Sequence, residues 1–424
     1  MTTLTEAQRL LREGRILEAE RACEAVLERS PDDVEALNVV ALASVRDGKP
    51  FRAVALLERA TRIDSNNPVS FHHLGRAHET LGNLTESLKA LSAALQLKPG
   101  FYLARLHYAS ILERTGEAER CVYHFARALN DAQAEGRWLN SQTTPSGLQP
   151  LVVHAVKTVR SRRRALLFAI SEKLAAKYGR ESMARVEKCL RVHLQEESAQ
   201  LPDPRQTPTF LYFPDLPTTA YFDRSLFPWI PEFEAQTDAI REELLALLPS
   251  EQGRERVFTG DEIEQQNLKG GDVPPTWNGY YFYRHGARRD DNCAACPRTS
   301  AALDELPLSR VREHGPEVLF SVFTAGTHLL PHRGVTNTRL VGHLPLIVPA
   351  DCALNVGNEI HEWREGQVVV FDDTFEHEAW NRSKQTRVVL IFDLWNPYLT
   401  DAEQAAVCDI VETVGDFRKE IERA

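Results

Sequence analysis

From the N-terminus to about residue 130, apolar positions recur at helical spacing and glycines interrupt them at a fixed interval. Gly14, Gly48, Gly82 and Gly116 stand 34 residues apart, and small residues follow in the same register at Ala19, Ala53, Ser87 and Cys121. Pro31 and Pro99 close the first and third units, while Pro68 falls three residues late in the second. Each unit reads as a helical hairpin with a glycine at the turn between its two helices. A single hairpin can bury its apolar face only against the next one, so the segment is expected to stack. The stretch GNLTESLKALSAALQLKP, residues 82–99, is the cleanest copy.

Beyond 130 the helical pattern continues without register, and LVVHAVKTVRSRRRALLFAISEKLAAKYG reads as one or two amphipathic helices. The segment LPDPRQTPTFLYFPDLP at 201–217 carries five prolines, which cannot continue a helix, and it sets a domain boundary. IPEFEAQTDAIREELLALLPS then reads as one helix. From about 277 the pattern is that of strands: WNGYYFYR, EVLFSVFTA, TRLVGHLPLIV, CALNVG, QVVVFD and TRVVLIFDLW, separated by Gly, Pro, Asn and Asp. No long helices intervene, which predicts an antiparallel sheet or barrel rather than a parallel α/β sheet. LTDAEQAAV opens a terminal surface helix with a capping box formed by Thr400 and Glu403. The expected architecture is multidomain: an all-α tetratricopeptide-repeat region at 1–130, a helical linker at 131–206, and a β domain with flanking helices at 207–424. A period of 34 with an inter-helix glycine is the tetratricopeptide signature, and such stacks usually hold a peptide or a partner protein.

Composition narrows the functional classes. Of 424 residues, 43% are hydrophobic and 26% charged, an ordinary soluble balance. The net charge of −10 argues against nucleic acid as a general partner, because phosphate binding needs a concentrated basic face. RSRRR at 160–164, the one dense basic cluster, reads as a solvated helix face. No charge-free window of membrane-spanning length exists, and MTTLTEAQRLLREGR lacks the apolar core of a signal peptide. Seven scattered cysteines without framework spacing point to reduced thiols and a cytoplasmic location. The one close pair, Cys293 and Cys296, lacks a second pair to complete a zinc site and reads as part of a plain loop.

Three polar residues punctuate the apolar strands: His332, His377 and Arg387. A barrel can bring a histidine at the end of an early strand beside one on a late strand. An arginine on the final strand can then grip the carboxylate of an anionic cosubstrate in a bidentate manner. That arrangement suits a non-haem Fe(II) oxygenase using 2-oxoglutarate, with one irregularity. In LLPHRGVTNTRL the place two residues after His332, where such sites carry a carboxylate, is Gly334. Asp372, Asp373 and Glu376 are candidates to orient His377 through its second N–H, and Asp373 is also a candidate ligand.

The stretch 320–397 closely resembles the catalytic domain of the aspartyl/asparaginyl β-hydroxylases, through FSVFTAGTHLLPHRGVTNTRLVGHLPL, EWREGQVVVFDDTFEHEAWN and RVVLIFDLWNP. The resemblance weakens upstream to about 207, where WNGYYFYRHG still fits, and eukaryotic members also carry tetratricopeptide repeats ahead of this domain. It implies a double-stranded β-helix (jelly-roll, cupin-like) oxygenase domain that holds iron with two histidines and has glycine in place of the usual aspartate, water filling the third place. Carried over residue by residue, His332 and His377 would bind Fe(II). Arg387 and Ser321 would hold the distal carboxylate of 2-oxoglutarate, with His343 near its other end. Arg339 matches an arginine at the substrate pocket and Trp277 a tryptophan near the site. Val341 stands where eukaryotic relatives have a second arginine associated with carboxylate recognition, so the specificity machinery is altered.

The implied reaction uses O2 and 2-oxoglutarate, releases succinate and CO2, and hydroxylates an unactivated carbon. Its substrate would be the β-carbon of an Asp- or Asn-like residue in a peptide, protein or carrier-bound molecule recruited by the repeats. Two other readings stand beside it: a halogenase in which halide takes the room left by Gly334, and a non-catalytic repeat scaffold with a vestigial barrel.

Overall fold

The computed structural model describes residues 4–250, 252–258, 266–270 and 276–424. They form two compact units, Met1–Ala165 with Asp416–Ala424, and Leu166–Gly415.

The first unit is built from helical hairpins: α1 (Leu4–Arg12) with α2 (Ile16–Leu27), α3 (Val34–Arg46) with α4 (Pro50–Ile63), α5 (Pro68–Thr80) with α6 (Leu84–Leu97), and α7 (Tyr102–Arg114) with α8 (Ala118–Ala134). The four register glycines do what the spacing predicts: Gly14, Gly48, Gly82 and Gly116 sit at φ +75°, +74°, +78° and +85°, which side-chain-bearing residues rarely adopt. The small residues that follow them, Ala19, Ala53, Ser87 and Cys121, are all fully buried. Ser87 donates its hydroxyl to the Gly75 carbonyl at 2.8 Å, so even the polar copy of this position is satisfied in the packed seam.

A single helix, α9 (Gln149–Tyr178), occupies the segment read as one or two. RSRRR lies on it, with Arg162 paired to Glu119 at 2.6 Å, as a solvated face would be. In the second unit α10 (Ala184–His193) follows. The stretch read as one helix is two, α11 (Ile230–Glu234) and α12 (Thr237–Leu247). The buried Thr237 hydroxyl bonds back to the Glu234 carbonyl at 2.6 Å, at the break.

Twelve strands follow among the described residues: β1 (Arg254–Arg256), β2 (Leu268–Lys269), β3 (Trp277–Arg284), β4 (Ala287–Arg288), β5 (Val318–Phe323), β6 (His328–His332), β7 (Arg339–Ile347), β8 (Cys352–Val356), β9 (Glu359–Glu362), β10 (Val369–Phe371), β11 (His377–Asn381) and β12 (Arg387–Trp395). They form two antiparallel sheets, one in the order β1-β3-β5-β12-β7-β10 with β4 beside β3, the other β2-β6-β11-β8-β9.

Period-two alternation sorts the larger sheet's side chains. Phe320, Val322, Leu344, Val388, Leu390 and Phe392 pack one face, together with Ile240 and Leu244 of α12. Phe323, Val341, Phe371 and Val389 pack the other, in one core with Leu329, Leu354, Val356 and Ala379 of the smaller sheet. The functional candidates project into this second layer. The CAAC segment is not a loop: Cys293 lies on α13 (Asp290–Ala295), Cys296 immediately precedes α14 (Pro297–Asp304), and both thiols are buried in the first core. Burial pushes the Cys296 thiol up to about 12, the signature of an inert structural cysteine. α15 (Asp401–Arg423) closes the described chain. Its capping box is present, with Thr400 N–H donating to Glu403 Oε2 at 2.9 Å and Glu403 N–H to Thr400 Oγ1 at 3.3 Å.

The repeat unit also buries neutral histidines. Burial holds His73 and His124 down to about 4 and His107 to about 3. An unfolded histidine takes a proton below about 6.5, whereas these stay neutral in the fold. Their contribution is therefore complete above pH 6.5 and is lost as pH falls toward 4. We expect the unfolding free energy of the repeat transition, read by urea titration, to drop between pH 7.5 and pH 5 by on the order of a few kcal/mol shared among the three. His107→Gln should flatten that dependence. An equally steep slope in the variant would refute the assignment.

Candidate active site

The antiparallel register of β6 and β11 sets His332 directly opposite His377, with ring centroids 4.0 Å apart. Each ring spends one nitrogen on its own backbone: His332 Nδ1 donates to the Leu330 carbonyl at 2.9 Å and His377 Nδ1 to the Phe375 carbonyl at 3.1 Å. A carbonyl only accepts, so the proton is on Nδ1 and the Nε2 lone pairs are left for a ligand. Burial lowers His332, and burial with His332 alongside holds His377 down to about 4, so both rings are neutral as metal ligation requires. The group orienting His377 is thus a main-chain carbonyl and not Asp372, Asp373 or Glu376. Asp372 accepts from Thr374 and Gln206, and Glu376 pairs with Arg333 at 3.0 Å.

Among the described residues, no group of three His, Cys, Asp or Glu side chains is placed to hold a metal ion. The place beside Gly334 is nevertheless filled: a Cβ there would collide with the carboxylate of Asp373. Asp373 Oδ2 accepts from Arg339 at 2.7 Å, while its Oδ1 is buried without a partner. Arg339 reaches Asp393 with its other amino group at 3.0 Å. The candidate substrate arginine is therefore engaged by two carboxylates, and it fixes Asp373 against the glycine.

Arg387 begins β12 and is 1% exposed. Its guanidinium lies between the rings of Phe323 and Trp363, 4.1 and 4.4 Å from their centroids. One amino group donates to Ser321 Oγ at 3.2 Å, and no carboxylate among the described residues pairs with it. The indole N–H of Trp277 donates to the same Ser321 oxygen at 2.9 Å. With both lone pairs taken, the Ser321 hydroxyl can only donate its hydrogen onward. Arg387 Nε, His343 Nδ1 and Trp363 Nε1 are buried polar atoms without partners. His343 lies within electrostatic reach of both Arg387 and His377. Burial lowers Arg387 to about 9 and, with Arg387 nearby, keeps His343 neutral.

Buried donors without acceptors are costly unless something accepts from them. This set fits an anionic, multi-oxygen ligand at one end and a metal between the two histidines at the other. Spacing in the sequence pointed to His332, His377 and Arg387. It gave no sign of Trp363, which tops the Arg387 guanidinium, since an isolated tryptophan 24 residues upstream of Arg387 carries no local pattern.

These features define a metal- and carboxylate-compatible site between antiparallel sheets, and sequence comparison supplies the family. Residues 234–397 match the model for aspartyl/asparaginyl beta-hydroxylase, and residues 4–68 and 73–136 match tetratricopeptide repeat. The chain is 30% identical over 239 residues to aspartate beta-hydroxylase domain-containing protein 2 of Mus musculus, covering 56% of this chain and 67% of that one. It is 35% identical over 184 residues to the ornithine lipid ester-linked acyl 2-hydroxylase of Rhizobium tropici, covering 43% of this chain and 62% of that one. With the aspartyl/asparaginyl beta-hydroxylase of Homo sapiens it shares 33% identity over 179 residues, 42% of this chain but only 22% of the human protein. The chain belongs to the aspartyl/asparaginyl beta-hydroxylase family.

The contact between Gly334 and Asp373 is open to test. Gly334→Ala should lower the thermal midpoint, with a cost of about 1–3 kcal/mol from overpacking. Asp373→Gly should remove most of that increment in the double variant. Strictly additive losses would show that the two residues do not compete for the same space.

Proposed function

We propose that this chain is an Fe(II)- and 2-oxoglutarate-dependent dioxygenase that hydroxylates an unactivated carbon and releases succinate and CO2. The observation that carries the reading is Arg387, a buried guanidinium with no acidic partner, flanked by a serine whose hydroxyl can only donate. His332 and His377 would hold the metal through Nε2. Arg387 and Ser321 would grip the distal carboxylate of 2-oxoglutarate, and the ring N–H of His343 would serve its other end. The metal, when bound, would supply O2 activation.

The chain's own residues do the rest. The carbonyls of Leu330 and Phe375 fix the two imidazole tautomers. Phe323 and Trp363 keep water from the guanidinium, and Asp373 presents an unpaired oxygen beside Gly334 that would accept a hydrogen bond from a group bound there. Relatives named for hydroxylating an aspartyl or asparaginyl residue and an ester-linked acyl chain share the outcome, a new C–OH bond, and differ in substrate. Hydroxylation is accordingly the part of the reading that travels best. The substrate would be a peptide, protein or carrier-bound molecule, recruited by the repeats.

Halogenation is disfavoured by the carboxylate of Asp373, which fills the space next to Gly334 and would repel a halide. No helix among the described residues is long and apolar enough to cross a membrane.

Anaerobically reconstituted protein given Fe(II), 2-oxoglutarate and then O2 should form succinate slowly even without substrate. His332→Ala should abolish the iron dependence, and Arg387→Ala should weaken 2-oxoglutarate by at least ~100-fold, as expected when one side of a buried charge pair is removed. Absence of turnover together with absence of an Fe(II)-dependent absorption band on adding 2-oxoglutarate would transfer the reading to the non-catalytic scaffold.

A further inference from the structure

Trp363 lies between β9 and β10, and it touches both residues to which the two ends of the cosubstrate are given. The Arg387 guanidinium is 4.4 Å from the centre of its ring, and the His343 ring is 5.8 Å away, centre to centre. Only 6% of it is exposed, and it packs in one core with Phe323, Val341 and Phe371. That burial accounts for the indole as an apolar surface but not for its N–H. Trp363 Nε1 is buried and finds no acceptor among the described residues. An indole nitrogen can only donate, and a buried tryptophan N–H ordinarily has a partner. Trp277 shows the ordinary case, donating to Ser321 Oγ at 2.9 Å.

The donors around Trp363 ask for the same kind of acceptor. Arg387 spends one amino group on Ser321 Oγ, while its Nε is buried without a partner. The edge formed by that Nε and the second amino group is the one that grips a carboxylate as a fork. Ser321 accepts from Arg387 and from Trp277, which leaves its hydrogen to be donated. A carboxylate presents about four lone-pair sites on its two oxygens. Arg387 fills two and Ser321 a third, and the Trp363 N–H is the donor left for the fourth. An uncharged end in the same place would leave these donors unpaired, at the cost of their desolvation.

We propose that Trp363 is a cosubstrate-binding residue whose indole N–H donates to the distal carboxylate of 2-oxoglutarate, selecting it over 2-oxo acids with an uncharged tail. The proposal rests on the reading of the chain as a 2-oxoglutarate-dependent enzyme. It separates two contributions of one side chain: the ring face encloses Arg387, and the N–H recognises the ligand.

The test is calorimetric titration of the anaerobic, Fe(II)-loaded full chain with 2-oxoglutarate and with 2-oxopentanoate, in which a methyl group replaces the distal carboxylate. Trp363→Phe keeps an aromatic face over Arg387 and removes the N–H. It is expected to weaken 2-oxoglutarate by roughly tenfold and to leave the affinities for 2-oxopentanoate and Fe(II) unchanged. Trp363→His restores a ring N–H and should recover part of the loss. A second readout uses the unaltered sequence, in the indole nitrogen–proton spectrum of Zn(II)-loaded protein. The Trp363 signal, assigned by its loss in either variant, should move downfield with 2-oxoglutarate and stay in place with 2-oxopentanoate. Equal weakening of both ligands, or of neither, would overturn the proposal and leave the cosubstrate reading standing. Failure of the unaltered protein to bind 2-oxoglutarate would overturn both, and that titration alone tells the two failures apart.

Discussion

A cation buried without a counter-charge is the constraint around which the β domain is arranged. Arg387 can sit at 1% exposure only because two aromatic faces enclose it and a hydroxyl accepts from it. Both conditions depend on register. Arg387 lies opposite Phe323, and Val389 opposite Ser321, across the β12–β5 ladder. A slip of one residue would turn the guanidinium onto the face packed by Phe320 and Leu390, away from Ser321, Phe323 and Trp363. Correct pairing of the strands and the enclosure of Arg387 are thus one requirement.

The same economy of space governs the other end of the site. His332 and His377 face each other because their strands are neighbours, and their rings are oriented by carbonyls two residues behind each one. No carboxylate is needed to orient them, which leaves Asp373 available for another task. Arg339 supplies the restraint, bridging Asp373 and Asp393 so that one carboxylate oxygen stays unpaired next to Gly334. Glycine is required at 334 by this close approach. The carboxylate nearest Gly334 is thus supplied not from the same segment but by Asp373, on the connection that leads into β11.

How much of this was legible in the sequence follows from whether the information is local. The repeats were, because a positive-φ turn admits glycine and little else, and the requirement recurs at Gly14, Gly48, Gly82 and Gly116. The strand segments and the capping box at Thr400 were legible for the same reason. His332, His377 and Arg387 stand out by their placement in apolar strands, whereas Ser321 and His343 follow only from the family resemblance, since pairing between strands far apart in the chain leaves no periodic trace. Trp363 leaves no local signal, and CAAC by itself does not reveal that the sheet's outer core covers Cys293 and Cys296. The break between α11 and α12 was hidden too, since it depends on Thr237 turning its hydroxyl back onto the Glu234 carbonyl.

Arg387 shows what composition conceals. The chain has 50 basic residues against 60 acidic ones, and most of the arginines described here form exposed pairs that contribute little to stability. What distinguishes Arg387 is the combination of deep burial and donors that no side-chain carboxylate satisfies. Any anion brought beside such a guanidinium would stabilise the fold as it bound, so the two effects would be one event. That linkage would follow from the desolvated charge itself and not from the sheet architecture that desolvates it.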